Sequence, residues 1–209
     1  MSEERAKKIK LLLFDVDGVL TDGGIWIFPA PAGVEGRQPA PQAMPRADAG
    51  GYGIESSSMI EAKGFHAHDG TGISLAKLGG IKTGLITKRV SQTVALRARD
   101  LRLEHVHQGI EDKLTTFYNI LKLESLDASQ AAYVGDDIID LPVMRHCGLA
   151  IAVANAREEV RGEAHYVTQH AGGHGALRDA IEYILRAQGK LQKVIDDYLA
   201  ERKTAGKDA

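Results

Sequence analysis

The amino-acid sequence predicts an α/β fold: a parallel sheet with helices on both faces, extended by a β-hairpin flap. Three observations carry that reading. From residue 69 onward, short apolar runs alternate with segments whose apolar residues recur at helical spacing, the pattern of repeated strand–helix units. Residues 11–14, Leu-Leu-Leu-Phe, form an unbroken apolar run that ends on Asp15, as in a strand buried on both faces. Polar residues also gather at the C-terminal ends of three of these strands, where open parallel sheets bind ligands.

Taken in order, residues 11–14 form the first strand. Asp15 and Asp17 follow two apart, and side chains two apart on an extended backbone point the same way, so both carboxylates are expected to converge. Gly18 lets the chain turn away without a side chain in the site. Residues 25–28 and 59–65 read as the two strands of a long hairpin. Between them, residues 29–57 hold every proline except Pro142 and show no period, which predicts a flexible loop. A helix is expected over 71–78, stopped by Gly79 and Gly80. A strand over 81–87, a helix over 90–101, a short strand over 104–106 and a helix over 112–121 follow. Next come a strand over 131–135, a short helix over 141–146, a strand over 149–153, an edge strand at 166–167 and a helix over 176–187. The chain therefore reads as one domain, 1–189, with a hairpin flap over 23–66 and its insertion over 29–57, and a tail over 190–209. In that tail Leu191, Val194, Ile195, Tyr198 and Leu199 make an apolar stripe that needs a surface to bury against. Residues 203–209 are expected to be disordered.

Composition narrows the function classes. With 209 residues, 44% of them apolar and 26% charged, the chain has room for a substantial core. A net charge of −2 gives no nucleic-acid or membrane footprint. Cys147 is the only cysteine, which excludes an internal disulfide and fits a reducing compartment. The N-terminal apolar run is too short for a signal peptide, so a cytoplasmic location is expected.

The chemistry-bearing residues are acids at strand ends. Asp15 and Asp17 repel each other unless a divalent cation is shared, in which case Asp15 can stay ionised and nucleophilic while Asp17 handles protons. Thr87 ends a strand and is either a helix cap or a holder of a phosphate oxygen. Lys113 near a helix start is either a surface lysine or a charge over a phosphate. Asp136, Asp137 and Asp140 crowd the end of an apolar strand, where a cation would offset their repulsion; a helix N-cap at Asp140 is the plainer alternative. Asp15, Asp136 and a backbone carbonyl at Asp17 suit magnesium, with Asp137 and Asp140 behind them. A phosphate dianion about 4 Å from a carboxylate meets roughly 8 kcal/mol of repulsion at an effective dielectric of 20. Left uncompensated, that is a factor of about a million in rate, which is why the cation and Lys113 matter.

In the order DVD, Thr87, Lys113 and GDDxxD, the chain resembles the haloacid dehalogenase (HAD) superfamily. The stretch VGDDIIDLPVMRHCGLAIAVANA, with AGGHGALRD and ILRAQGKL after it, is similar to the small phosphatases that cleave Kdo 8-phosphate, the phosphate ester of 3-deoxy-D-manno-octulosonate. The resemblance implies a Rossmann-like sheet without a large cap domain. It implies a magnesium enzyme working through an aspartyl-phosphate on Asp15, with Asp17 protonating the leaving oxygen and then deprotonating water. Thr87 and Lys113 would hold phosphoryl oxygens, and Asp136 the metal. It further implies a homotetramer in which the hairpin and tail help close a neighbour's site. Three positions depart from the family pattern. Lys88 stands in Thr87-Lys88-Arg89 where Thr-Gly-Arg is usual, and His68 and His174 stand where arginines are usual. A histidine cannot form arginine's bidentate fork, so His68, Lys88, Arg89 and His174 become the candidates for setting the sugar. A nine-carbon sialic-acid-type 9-phosphate is the alternative substrate. A phosphoacceptor receiver domain is disfavoured by Asp17, and a silent oligomerisation module by the retention of all five central groups.

Overall fold

A computed structural model of the chain describes residues 2–29 and 59–205, the last five by backbone alone. The elements are α1 (Ser2–Ala6), β1 (Leu11–Phe14), β2 (Trp26–Pro29), β3 (Met59–Ala62), α2 (Ala67–Leu78), β4 (Lys82–Ile86), α3 (Gln92–Leu101) and β5 (His105–His107). After these come α4 (Lys113–Glu124), β6 (Ala131–Gly135), α5 (Leu141–Met144), β7 (Leu149–Ala152), α6 (Glu158–Glu163), β8 (Tyr166–Val167), α7 (Ala176–Ala187) and α8 (Leu191–Ala205).

Six strands pair in parallel in the order β5-β4-β1-β6-β7-β8. β1 lies between β4 and β6, with Leu13 opposite Gly84 on one side and Tyr133 on the other. Its four residues are fully buried, as the unbroken apolar run predicts. From β1 the chain builds outward through β4 and β5, then returns to β6 on the other flank. The strand order therefore reverses between β1 and β6, and the switch point lies beyond the carboxyl ends of these two strands. α1, α2, α7 and α8 pack together on one face, and α4, α5 and α6 cover the other. β2 and β3 pair antiparallel as a separate hairpin, with Pro29 opposite Met59. Among the described residues no cap domain stands over the sheet beyond this hairpin.

Several sequence-based expectations are corrected. α2 begins at Ala67 rather than at residue 71, so His68, Asp69 and Gly70 lie inside its first turn. Gly70 and Gly72 hide that start, since glycine weakens a helix by about 1 kcal/mol each. Tertiary packing overrides it. A Cβ on Gly72 would come 3.1 Å from Arg178 Cα, and the buried Asp69 carboxylate accepts the Arg178 N–H at 2.9 Å at the start of α7. The short helices α1 and α6 carry no period long enough to announce them. The tail is not an unattached piece: it is α8, which packs on α2 and α7. Val194 is only 3% exposed, and Leu191, Ile195 and Tyr198 lie against the core. Helix continues through Ala205, so disorder does not begin at residue 203. Residues 206–209, and the loop expected over 29–57 apart from Pro29, lie outside the described residues.

Candidate active site

β1 ends at Phe14, and Asp15 takes the next position with its N–H still bonded to Val134 O at 3.1 Å. The strand then breaks into a wide turn over Val16–Leu20, closed by Thr21 N–H to Val16 O at 3.0 Å. Gly18 has φ +92, and a Cβ there would come 2.1 Å from Asp136 Oδ2. Only glycine lets the first loop and the loop after β6 approach this closely. The loop at 171–175 closes the site's floor from a third side, since a Cβ on Gly172 would sit 1.7 Å from Gly18 O.

Asp15 is buried, with Oδ1 accepting from Val16 N–H at 2.7 Å and Oδ2 lying 3.0 Å from Lys113 Nζ. Lys113 is the first residue of α4, yet its side chain is only 4% exposed. A buried ammonium at a helix start has to be held by acids, and it is: Asp140 Oδ1 accepts from it at 2.8 Å. Burial pulls the Lys113 ammonium down, but the charges of Asp15 and Asp140 together push it above its ordinary value.

Asp140 is completely buried and serves four donors. Oδ1 also accepts from Tyr133 O–H at 2.9 Å, and Oδ2 accepts the N–H groups of Asp136 and Asp137 at 3.1 and 3.5 Å. Although it precedes α5, its side chain makes no capping bond to that helix; it organises the loop after β6. Asp137 is exposed and accepts from Ile138 N–H at 2.7 Å, turned away to cap the short turn. Asp136 differs from both, because its Oδ1 is buried and has no hydrogen-bond partner.

Asp15, Asp136 and Asp140 each bring a carboxylate oxygen within 4.8 Å of the others. Three acids thus face one ammonium. Burial and the neighbouring charge of Asp140 push Asp15 up to about 7, with Lys113 working against them. Burial, Asp140 and Asp15 push Asp136 up to about 8. The orphaned Asp136 Oδ1, beside Asp15, fits the donor set of a hard divalent cation, which would balance the excess negative charge.

Asp17 departs from the expected convergence. It lies within the turn at φ −76 and ψ 113, and its carboxylate stands outside the cluster of three acids. It meets Lys63 from the hairpin at Oδ1, and Arg89 Nε lies 3.5 Å from Oδ2. The extended-strand argument fails because Asp15 is the last extended residue before the wide turn over Val16–Leu20, and Asp17 lies inside that turn. Thr87 sits buried just past β4, with its N–H bonded to His107 O at 2.9 Å. Lys88 Nζ is 3.0 Å from Glu111, and Arg89 Nη2 is 3.2 Å from Glu61 Oε2. His68 and His174 are exposed and flank His66, whose ring centroid is 4.7 Å from that of His68 and 6.5 Å from that of His174. His105 is buried against Glu124 at 2.8 Å, a structural contact.

Sequence reasoning missed Tyr133, Lys63 and Glu61. Tyr133 had a signal: it is the one hydroxyl in the apolar run of β6, and a buried tyrosine needs a partner. Lys63 and Glu61 gave none beyond their alternation in the hairpin strand.

Residues 85–179 match the family of haloacid dehalogenase-like hydrolases. The chain is 37% identical over 189 residues to the 3-deoxy-D-manno-octulosonate 8-phosphate phosphatase of Escherichia coli K12, covering 90% of this chain and 86% of that one. It is similar to the crystal structure of the Yersinia pestis phosphatase, with a TM-score of 0.75 at 36% identity, covering 91% of this chain and 88% of that one. The Moraxella catarrhalis phosphatase, solved with magnesium, phosphate and Kdo, is similar with a TM-score of 0.76 at 35% identity, covering 94% and 97% of the two chains.

Proposed function

Since the chain belongs to the 3-deoxy-D-manno-octulosonate 8-phosphate phosphatase family of HAD hydrolases, we propose that it hydrolyses Kdo 8-phosphate to Kdo and phosphate with magnesium. The observation that carries this reading is the buried pairing of Asp15 with Lys113 beside the partnerless Asp136 Oδ1. It supports reading Asp15 as nucleophile, Lys113 as the phosphate-binding charge and Asp136 as a metal donor.

In this reading Asp15 Oδ attacks phosphorus, the bond to the sugar oxygen breaks, and the leaving oxygen takes a proton from Asp17. Asp17 then removes a proton from water as its oxygen attacks the aspartyl-phosphate, which frees Asp15. Lys113 and the Thr87 segment hold phosphoryl oxygens. Asp15, Asp136 and the Asp17 backbone carbonyl would hold magnesium, which supplies charge neutralisation for the incoming dianion. Asp140 fixes Lys113 and the loop after β6 rather than touching substrate, and Asp137 caps its turn. His68, Lys88 and His174 are assigned to the sugar, while Arg89 is committed to Asp17 and Glu61.

We further assign the whole of residues 1–189 to one phosphatase domain and place the enzyme in the cytoplasm as a homotetramer. No described helix is long and apolar enough to cross a membrane. Ile25, Trp26, Ile27 and Phe28 are 43, 59, 49 and 49% exposed. Such a run on a two-stranded sheet supports a second copy covering it.

The test is phosphate release from a panel of sugar phosphates with and without magnesium, including Kdo 8-phosphate and a sialic-acid-type 9-phosphate. Release from Kdo 8-phosphate at the highest kcat/KM is expected. Preference for the nine-carbon ester reassigns the sugar, and no release from any ester ends the phosphatase reading.

A further inference from the structure

The partners of the Asp17 carboxylate come from distant parts of the chain and form a closed figure. Lys63 Nζ donates to Asp17 Oδ1 and lies 3.9 Å from Glu61 Oε1. Arg89 Nε lies 3.5 Å from Asp17 Oδ2, and its Nη2 donates to Glu61 Oε2 at 3.2 Å. Four alternating charges, Asp17, Lys63, Glu61 and Arg89, thus close on one another. The ring is anchored beyond itself, because Ser91 Oγ donates to Glu61 Oε1 at 2.6 Å and Thr93 Oγ1 donates to Glu61 O at 3.1 Å.

The lysine is the informative member. Its side chain is 0% exposed. An ammonium taken out of water costs several kcal/mol unless it is paired. A hairpin that only lay over the site, or only met a neighbour, would not need to bury one. Here the residue immediately after β3 brings the buried charge to a carboxylate on a turn whose own backbone is irregular.

We propose that Lys63, with Glu61 behind it, is a positioning residue for the proton transfers of Asp17: the hairpin strand aims the acid/base. The proposal rests on the phosphatase reading above. Lys63 takes no part in either transfer. The proton given to the leaving oxygen is the one on Asp17, and the proton taken from water returns there. A general acid or base displaced by about 1 Å loses on the order of a hundredfold in rate. Binding of the phosphate, by contrast, depends on Asp15, Lys113 and the metal.

The experiment compares the wild type with Lys63→Met, Lys63→Arg and Glu61→Gln on Kdo 8-phosphate and on p-nitrophenyl phosphate, with magnesium. A sugar alkoxide needs a proton to leave, whereas p-nitrophenolate does not. Lys63→Met should therefore lose kcat about a hundredfold on the sugar ester, with KM changed less than about threefold. On p-nitrophenyl phosphate its first step is spared and its second slowed, so a burst approaching one equivalent should precede slow turnover. Lys63→Arg should recover part of the loss, and Glu61→Gln should fall between. Melting temperatures read the ring without activity. Lys63→Met and Asp17→Asn should each lower them, and the double variant by less than the sum. Lys63→Met with kcat near wild type, equal losses on both esters without a burst, or additive melting shifts would each overturn the proposal. A wild type inactive on every ester would instead sink the phosphatase reading, and the acid/base role with it, while non-additive melting would still show the ring.

Discussion

Lowering the pH from about 9 to about 6 should weaken divalent-metal binding roughly a thousandfold. The magnitude follows from the two buried acids assigned to the ion. Without metal, burial and Asp140 hold Asp15 at about 7, and burial, Asp140 and Asp15 hold Asp136 at about 8. The ion takes the ionised forms. Near pH 6, about one molecule in ten has Asp15 ionised and about one in a hundred has Asp136 ionised, so competition with protons multiplies to about a thousand. Near pH 9 both are ionised and the competition vanishes. Calorimetric titration of metal-free protein, in two buffers of different ionisation enthalpy, should show about two protons released near pH 6 and almost none near pH 9. The same shifts fix the sign for stability. Both groups titrate higher in the folded chain than as ordinary carboxylates near 4, so they stabilise the metal-free protein at low pH. That contribution is lost as pH rises through about 7 and 8, and saturating magnesium should restore it. An affinity constant within threefold across this range, with no buffer-dependent heat, would refute the assignment of Asp15 and Asp136 as ligands.

Asp15→Asn should abolish turnover, by about 10⁴-fold or more, while the metal-free melting temperature holds or rises, because a buried charge repelled by Asp140 is removed; a substantial residual rate would exclude the aspartyl-phosphate route. Tyr133→Phe removes one of four donors to Asp140 and should cost about 1 kcal/mol in denaturant unfolding, with activity reduced less than about tenfold since Lys113 still bonds Asp140. Gly172→Ala drives a Cβ to 1.7 Å from Gly18 O, backbone that cannot rotate away; it should lower stability by about 2 kcal/mol or more and activity with it. Sedimentation should show a tetramer, and Trp26→Glu on the exposed hairpin strand should shift it toward smaller species.

The order of strands and helices was legible wherever one period ran long enough. β1, β6 and α7 stand where the apolar pattern put them, and the acids at their ends fall at the switch point. Asp15 lies 3.0 Å from Lys113 and within 4.8 Å of an Asp136 oxygen. What failed was any inference that needed a distance between segments. Asp15 and Asp17 stand two apart in sequence, and where the Asp17 carboxylate goes depends on the turn over Val16–Leu20 and on Lys63 and Arg89, which come from distant segments. The start of α2 was hidden by two glycines, Gly72 facing α7 and Gly70 facing Arg97 and Leu101 of α3, neighbours that the sequence does not place. α8 looked unpartnered because its apolar stripe is visible in sequence and the groove formed by α2 and α7 is not.

The hairpin shows the same limit and also resolves it. Glu61, Lys63 and Phe65 alternate, so the period of two already places them on one side of an extended run. That side meets the body of the protein: Lys63 joins Asp17, Glu61 joins Arg89, and Phe65 bridges to Thr21 and lies under Arg97. β2, by contrast, pairs only with β3 among the described strands, and all four of its residues are exposed. Docking one strand of a two-stranded ribbon through charges leaves the other with its apolar residues in water. The contact proposed to aim Asp17 and the surface proposed to take a second copy would then be two consequences of a single pairing. A variant that frees Lys63 should loosen both the acid/base and the assembly.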